Sequence, residues 1–444
     1  MKFTIYDLRF AAGALILAAG ILVAPAQPAS TNTLPIDLPT TLRLVGARNL
    51  DIQIARENLN EARAKHQSAV EQFFPWVAPG IGYHRRDGVA QASPSGIISD
   101  ANYQSYTPGA TAVAQWNLGN AIYSTLAAKQ LVKASDQAVD TGRQDAILSA
   151  ARRYFDLVKA RALVCVINEA IQISQDYQQQ LHEAVAAGIA FKGDELRVQA
   201  QNGHYQISLE QAQEQQRAAS VNLAQVLHLD SRVDLVPLDT GLTSLTLSPT
   251  NAAMDELVVQ AMQNRPELKQ SQAVLAASRA EKNGAVYGPL IPSLGAQVFG
   301  GGLGGGPDGR PDTFDGMADY TVGLSWQIGP GGLFDSGRIK AGKARLAASK
   351  LAQSKLKDAI TSQVVDALVA VNSTTIQIQL AEQNLNTASE ALRLTRQRKQ
   401  FGIGIVLEDI QAQQALTQAR SDYVAVLAEH NKAQYALRRA IGGL

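Results

Sequence analysis

The sequence contains the same pattern twice, in two copies about 210–217 residues apart. Near the end of each half, a glycine is followed by an acid after six residues, an aliphatic residue after eight and a glutamine after eleven. These positions are Gly188, Asp194, Leu196 and Gln199 in the first half and Gly402, Glu408, Ile410 and Gln413 in the second. The block around Trp116 recurs around Trp326. A duplicated unit of roughly two hundred residues is too long for a solenoid repeat and predicts two similar halves.

Two long stretches of the chain lack proline, one between Pro108 and Pro237 and one after Pro330. Because a proline inside a helix breaks it, each stretch can hold very long helices. Small and apolar residues from Ile167 to Gly188 follow alternating steps of three and four, which is the spacing of a coiled-coil seam. Helices of about 100 Å are therefore expected, far longer than those of ordinary globular domains.

Each long helix is expected to end at its glycine and to be followed by a returning helix. Gly188 and Gly402 suit the left-handed conformation that ends a helix, and the acids six residues later favour the start of the next one. We therefore predict a long antiparallel helical hairpin with a short exposed tip in each half. The predicted hairpins span residues 123–228 and 333–440.

The period changes from helical to alternating just before each hairpin. From Tyr320 to Ile328 every second residue is large and apolar, and those between are small or polar. About ten residues with one apolar and one polar face are typical of a strand in an outer-membrane barrel. The predicted strands are residues 75–85, 106–118, 292–301 and 318–328. Trp76, Trp116 and Trp326 lie near their helix-proximal ends, where interfacial aromatics are expected. The alternative is a soluble subdomain of two β-hairpins.

The N-terminus has the composition of a secretory signal. Lys2 and Arg9 are basic, Phe10 to Val23 is apolar, and Ala24-Pro25-Ala26 resembles a cleavage site. A retained anchor is the alternative. The expected organisation is a signal peptide over 1–26, a first repeat over 27–236, a linker over 237–250 and a second repeat over 251–444. Each repeat is expected to hold a helix, two strands and a helical hairpin.

Four strands cannot close a barrel, and an open sheet edge in lipid leaves backbone groups without partners. The chain must therefore share its barrel with copies of itself. The physical argument permits two, three or four copies.

Several other classes of function find little support. A net charge of +1 offers no basic surface for nucleic acid. The six histidines lack metal-ligand spacing, and the GxGxxG match that begins at Gly300 leads into a loop rather than a helix. Cys165 cannot form an internal disulfide and is interpreted as a small apolar helix residue. We expect no enzyme activity and no cofactor.

The chain resembles the TolC-type outer-membrane efflux proteins over nearly its whole length. The resemblance rests on the duplication, on Leu333-Phe334-Asp335-Ser336-Gly337-Arg338 between strand and helix, and on the two hairpin tips. It implies a mainly α-helical trimer with four strands per chain in a shared 12-stranded barrel in the Gram-negative outer membrane. It also implies a long coiled-coil tunnel in the periplasm and an exit duct that serves a periplasmic adaptor and, indirectly, an inner-membrane pump of the RND or ABC type.

This chain departs from the family pattern in two ways. The first half has Ile122-Tyr123-Ser124-Thr125 where the second has Leu333-Phe334-Asp335-Ser336, so the first junction lacks the glycine. The N-terminal cysteine that many relatives lipidate is missing, so no lipid anchor is expected.

The resemblance also implies roles for the hairpin tips. The residues that match the adaptor-contact region are Gly188, Ile189, Ala190, Phe191, Asp194, Gly402, Ile403, Gly404, Ile405 and Glu408. The candidates for a periplasmic gate are Asp194, Glu195, Arg197, Arg396, Arg398, Glu408 and Asp409. The alternatives are plain turn chemistry for the first set and a solvated charged turn for the second.

The leading interpretation is a passive conduit in a tripartite efflux or type I secretion system. A soluble periplasmic coiled-coil adaptor or scaffold is the alternative. An adaptor would have one helical hairpin and a lipoyl-like β domain, whereas this sequence predicts two hairpins and amphipathic strands.

Overall fold

The computed structural model describes residues 33–91, 94–239, 241–247, 253–307, 313–400 and 405–444. The expected signal peptide therefore lies outside the described residues, as do Gly402, Ile403 and Gly404 of the second tip.

The first half consists of two short helices, a β-hairpin and a long helical hairpin. Its elements are β1 (Thr33–Ile36), α1 (Leu38–Arg48), α2 (Leu50–Glu71), β2 (Trp76–Arg86), β3 (Val89–Gln91), β4 (Ile98–Asp100), β5 (Tyr103–Asn117), α3 (Leu118–Ala186), α4 (Lys192–Val226) and β6 (Asp234–Pro237). The 69 residues of α3 extend over about 100 Å. Asn49 separates α1 from α2, because its side chain accepts a hydrogen bond from the amide of Ile52 and starts a new helix.

The second half repeats this order. Its elements are α5 (Met254–Asn264), α6 (Pro266–Tyr287), β7 (Ser293–Pro307), β8 (Thr313–Ser325), α7 (Ser336–Gln400) and α8 (Val406–Ala440). Pro266 occupies the first turn of α6, where its missing amide hydrogen costs nothing, and thereby separates α5 from α6. Between the halves, residues 241–247 contain no helix or strand.

The four long strands form one antiparallel sheet in the order β2-β5-β7-β8. Its centre joins the two halves, because β5 pairs with β7, from Asn117 opposite Ser293 to Tyr103 opposite Pro307. Strands β2 and β8 are the two edges. The short strands β1 and β6 pair in parallel elsewhere and join the start of the chain to the end of α4.

The helices pack into two main apolar clusters in the middle of the helical part. One joins α1, α3, α4 and the β1–β6 pair, with Tyr154, Leu157 and Leu223 almost fully buried. The other joins α5, α6, α7 and α8 around Val364 and Leu437. A smaller cluster holds α7 and α8 together closer to their tip. Cys165 lies on α3, as predicted for a small helix residue, and its side chain is exposed in the single chain.

Buried charges connect the two halves. Arg439 on α8 donates hydrogen bonds to Asp145 on α3, at 2.7 Å, and to Glu267 on α6, at 2.5 Å. Arg265 bonds the same Glu267 at 2.8 Å and Gln363 on α7 at 2.6 Å. Burial alone would raise the pKa of Glu267, but the bonds from Arg439 and Arg265 hold it below its ordinary value.

One described helix is long and apolar enough, by length and composition alone, to cross a membrane. The segment is Ser336–Arg398, and only 28% of its most apolar window is buried. It packs antiparallel against α8 and against α6, so its uncovered apolar residues lie on the outside of a helical bundle.

Candidate functional site

The first helical tip is a tight turn with two exposed apolar side chains. Gly188 adopts a φ of +73°, which glycine tolerates best. The amide of Ile189 then bonds the carbonyl of Ala184 at 2.9 Å and closes the end of α3. Ile189 is 83% exposed and Phe191, at the N-cap of α4, is 74% exposed. Ala190 lies between them, so the tip presents a small apolar surface.

At the second tip the described residues begin again at Ile405, the N-cap of α8, whose side chain is exposed. Glu408 and Asp409 follow in the first turn of α8, just as Asp194 and Glu195 lie in the first turn of α4. Negative charge at this end of a helix is stabilised by the helix dipole.

Both acids of the first tip have basic partners. Asp194 pairs with Arg197 at 2.9 Å. Glu195 is buried and accepts bonds from Lys192 at 2.5 Å and from the Nδ1 atom of His182 at 2.9 Å. The bonds from Lys192 and then His182 hold the pKa of Glu195 below its ordinary value. The first pair of acids is thus largely neutralised.

The second tip is less evenly paired. Glu408 bonds Arg398 at 3.2 Å. Asp409 is only 6% exposed, and the nearest nitrogen of Arg396 is 3.9 Å away. Arg396 instead donates to Gln413 at 3.2 Å, and the Oδ1 atom of Asp409 has no hydrogen-bond partner among the described residues. Asp409 is therefore the gate candidate whose charge is least compensated.

Among the tip residues that the structure describes, each ion pair joins two residues of the same hairpin. The contacts between the two hairpins at this level are of another kind. Gln414 on α8 bonds Gln201 on α4. Tyr177 on α3 interacts electrostatically with both tips. Burial and then the negative charges of Asp409 and Asp194 raise its pKa.

In the structure, Tyr177, His182, Lys192 and Gln413 lie beside the residues predicted for the gate. His182 and Lys192 lie within six residues of Gly188, so their closeness to the turn was a signal available in the sequence. Tyr177 carried no such signal, since its approach to Asp409 depends on how the two hairpins pack.

At the other end of the long helices, the sheet has one strongly apolar face. Val77 and Ile81 on β2 share this face with Tyr320, Val322 and Leu324 on β8, through the registers with β5 and β7. These five side chains are 62–81% exposed. We call this the apolar face and its reverse, which carries Ser105, Thr111, Gln297 and Asp319, the polar face. Apolar side chains outside and polar side chains inside are the pattern of an outer-membrane barrel.

The three tryptophans lie at the helix-proximal ends of strands, but not all on the same face. Trp116 pairs with Leu294, which pairs with Leu324, so Trp116 is on the apolar face. Trp326 follows the last residue of β8 and donates its indole hydrogen to the carbonyl of Leu290 at 3.3 Å. Trp76 pairs with Val113 at a position of the polar face, opposite in direction to Val77.

The amino-acid sequence matches the outer membrane efflux protein family over residues 41–227 and 257–443, once in each half. The chain belongs to this family. The family assignment and the fold confirm the predicted outer-membrane efflux channel, with its two repeats, its strands and its long periplasmic helices. They exclude the soluble adaptor alternative and agree with the prediction that the chain is not an enzyme.

Solved structures share the efflux-protein fold at low sequence identity. A membrane protein from Pseudomonas aeruginosa is 18% identical with a TM-score of 0.77, over 91% of this chain and 93% of that one. The outer membrane protein VceC from Vibrio cholerae is 17% identical with a TM-score of 0.76, over 91% and 96%. The MtrE outer membrane channel of Neisseria gonorrhoeae, in its open state, is 19% identical with a TM-score of 0.75, over 91% and 89%. No curated protein sequence matches the chain.

Proposed function

We propose that this efflux protein is the exit duct of a tripartite efflux or type I secretion system. It passively conducts substrates from an inner-membrane pump, of the RND or ABC type, to the exterior. The observation that carries the proposal is that one chain joins a sheet with an exposed apolar face directly to helices about 100 Å long. Such a chain joins the outer membrane to a point deep in the periplasm without a break in the wall.

Open sheet edges support a homotrimer. Strands β2 and β8 have a neighbour on one side only, and unpaired backbone groups in lipid cost several kcal/mol each. Copies of the chain can pair β8 with the β2 of the next copy until the sheet closes. Three copies give the 12 strands that the family resemblance implies.

A second observation supports the same assembly. The exposed large apolar residues of α7 are Leu351, Val369, Ile376, Leu380 and Leu394. At about 3.6 residues per turn, their spacing places all five on one stripe of the helix. A stripe of this kind is expected to pack against another helix, and a neighbouring copy of the chain supplies one.

The proposal is tested by fractionation and conductance. We expect the mature protein to sediment with the outer membrane, to require detergent, to have the mass of a trimer and to conduct ions in planar bilayers. Deleting its gene should raise susceptibility to toxicants that the pump exports. A water-soluble monomer without detergent would contradict the proposal.

We propose that the tips bind the periplasmic adaptor. The residues assigned to this contact are Gly188, Ile189, Ala190, Phe191, Asp194, Gly402, Ile403, Gly404, Ile405 and Glu408. Ile189 and Phe191 support it, because large apolar side chains exposed beside a tight turn are suited to anchor a partner.

This contact is tested by replacing both apolar side chains of the first tip. The double variant Ile189→Ser with Phe191→Ser keeps an N-cap residue for α4. We expect adaptor binding to weaken at least about tenfold, since burying each side chain contributes about 1.5–3 kcal/mol. Ile207→Ser on the shaft of α4 is the matched control. Equal adaptor affinity of the tip variant and the control would refute the contact.

We further propose that the tip charges form the periplasmic gate, and that Asp409 contributes most. In a trimer its charge occurs three times around the axis. An acid without a close cation attracts cations into the opening more strongly than one neutralised at 3.2 Å, as Glu408 is by Arg398. Glu195, Arg396 and Arg398 then hold the two helices of each hairpin together. Asp194 and Arg197 pair within α4, and Gln201 and Gln414 connect the hairpins.

Single-channel recording tests this order of importance. Asp409→Asn should reduce cation preference and change conductance more than Glu408→Gln does. Replacing both acids with alanine should give at least the effect of Asp409→Asn. Unchanged conductance and cation preference in the double alanine variant would remove both residues from the gate.

A further inference from the structure

The two edges of the sheet carry opposite charges on the same face. Asp319 on β8 pairs with Phe299, which pairs with Thr111, which pairs with Ala78 on β2. Asp319 and Ala78 therefore share the polar face. Since side chains alternate along a strand, His84 and Arg86 on β2 and Asp315 on β8 lie on this face as well. One edge of the polar face is acidic and the other is basic.

Among the residues that the structure describes, these side chains have no ionic partner. Asp315, Asp319, His84 and Arg86 are exposed, and none of them forms an ion pair among the residues the structure describes. The neighbouring Arg85, which lies on the apolar face, shows the contrast, since it pairs with Asp87 at 2.9 Å. The chain thus leaves two complementary charged edges open on the side that faces the interior of a barrel.

We propose that Asp315 and Asp319 of one subunit form ion pairs with His84 and Arg86 of the next subunit, across the seam between β8 and β2. The occupant of each edge is a second copy of this chain. The proposal rests on the trimeric channel proposed above and names the contacts that close its barrel. The paired side chains line the inner wall.

The register of the seam supports these contacts over a range of alignments. Strand β2 leaves the helices at Trp76 and β8 returns to them at Ser325, so the two strands are antiparallel in the seam. Aligning these ends places Arg86 opposite Asp315. Shifts that preserve the faces move in steps of two residues. A shift by two places His84 opposite Asp319, and a shift by four places Arg86 opposite Asp319.

Diagonal neighbours extend this tolerance. Residues two positions away on the facing strand are still within reach of long side chains. Asp315 and Asp319 are four residues apart, on either side of Met317, and the two bases on β2 are two residues apart. In each of the three registers, every base therefore has an acid directly opposite or diagonal to it. The charge pattern therefore matches the seam without depending on one exact alignment.

Reversing the charges tests the seam. The full-length mature protein is purified in detergent. The rate at which its trimer dissociates in SDS without boiling is then measured. We expect the double variants Asp315→Arg with Asp319→Arg, and His84→Asp with Arg86→Asp, each to dissociate about tenfold faster, because like charges then meet at three seams. Combining all four substitutions should restore the rate to within about twofold of the wild type, because the pairs re-form with opposite polarity.

The control is Gln297→Arg, which adds a charge to the polar face of β7, an inner strand of the sheet. It should leave the rate unchanged. If the variant with all four substitutions dissociates as fast as either double variant, the seam contacts are refuted, but the proposal of a trimer is not. If the wild type itself is a monomer in mild detergent, the trimeric channel fails first and the seam with it.

Cross-linking keeps the test decisive if reversed charges prevent assembly. In a Cys165→Ala background, one cysteine replaces Asp315 or Asp319 and another replaces His84 or Arg86. Oxidation should give covalent trimers that survive boiling for at least one combination, and that combination reports the register. A cysteine pair at Gln297 and His84 should give none. Trimers that never cross-link in any of the four combinations would overturn the seam.

Discussion

The side chains in the middle of the helical part and those in the sheet are covered in different ways. In the middle, Leu157 and Leu437 are fully buried by the same chain, and Arg439 and Glu267 meet inside it. In the sheet, Ile81 and Val322 are at least 75% exposed and both edges are open. One region is complete in a single chain, whereas the other exposes an apolar face and two open edges, which lipid and further copies cover in the trimer proposed above.

This contrast separates two kinds of stability. Apolar area buried within one chain stabilises that chain before assembly, at about 25 cal/mol per Å². The apolar face of the sheet contributes only when it enters lipid or meets another subunit. The exposed stripe of α7 resembles the sheet in this respect. Substitutions in the middle should therefore change the folding of the subunit, and substitutions in the sheet should change insertion and assembly.

The largest expected effect comes from a cavity in the middle. Leu157→Ala removes a fully buried side chain between α3, α4 and the β1–β6 pair, so unfolding should become easier by about 2–5 kcal/mol. The urea dependence of the helical circular dichroism signal measures this change. Ile207→Ala, at an exposed position of α4, is the control and should change the midpoint little. Equal midpoints for both variants would show that the middle is not a stable core.

The next effect separates the sheet from the middle. Val322 lies four residues from Trp326, or about 13 Å along the strand, and so falls near the centre of the apolar band. Val322→Arg should disfavour insertion by about 2–4 kcal/mol while leaving the urea midpoint of the helical signal unchanged. The yield of trimer in the outer membrane measures insertion. Gln297→Arg, on the polar face, should insert normally. Normal insertion of both variants would place the apolar face away from lipid.

The same contrast explains what the sequence could and could not predict. Long proline-free stretches and alternating residues depend on the chain alone, so the helices, the strands and the duplication were all visible. Boundaries depended on single hydrogen bonds. Asn117 caps α3 by accepting from the amide of Asn120, so this helix begins at Leu118 rather than at residue 123. Asp335 caps α7 through the amide of Arg338, so that helix begins at Ser336 rather than at residue 333.

The candidate site was visible only in part, for a related reason. The glycines and acids of the tips occur next to each other in the sequence, so their repetition showed where the tips lie. Which acid lacks a close cation depends on packing between separate helices. Asp409 and Tyr177 are more than two hundred residues apart, and no local sequence pattern around either one predicts that they lie close together. The parallel pairing of β1 with β6 is hidden in the same way.

The smallest expected effect depends on pH and concerns a buried histidine in the middle. His430 on α8 is 3% exposed, and its Nδ1 atom lies 3.1 Å from the hydroxyl of Thr374 on α7. Next to it, Asn431 accepts a bond from the amide of Leu245, which holds the segment between the two halves against α8. Burial lowers the pKa of His430, because the charged form loses its hydration.

The sign of the pH effect follows from this lowered pKa. The unfolded chain binds a proton at this histidine near pH 6.5, whereas the folded chain resists it. Neutral His430 therefore contributes fully to the free energy of unfolding above about pH 6.5. As the pH falls below this value, the free energy of unfolding decreases by at most about 1.4 kcal/mol per pH unit. The paired carboxylates, such as Glu267, have lowered pKa values and affect the free energy of unfolding only at more acidic pH.

His430→Gln should flatten the fall of the urea midpoint between pH 6.5 and 5.5. His204→Gln, at an exposed position of α4, should keep the wild-type slope, and a wild-type slope in both variants would show that His430 is not the group responsible.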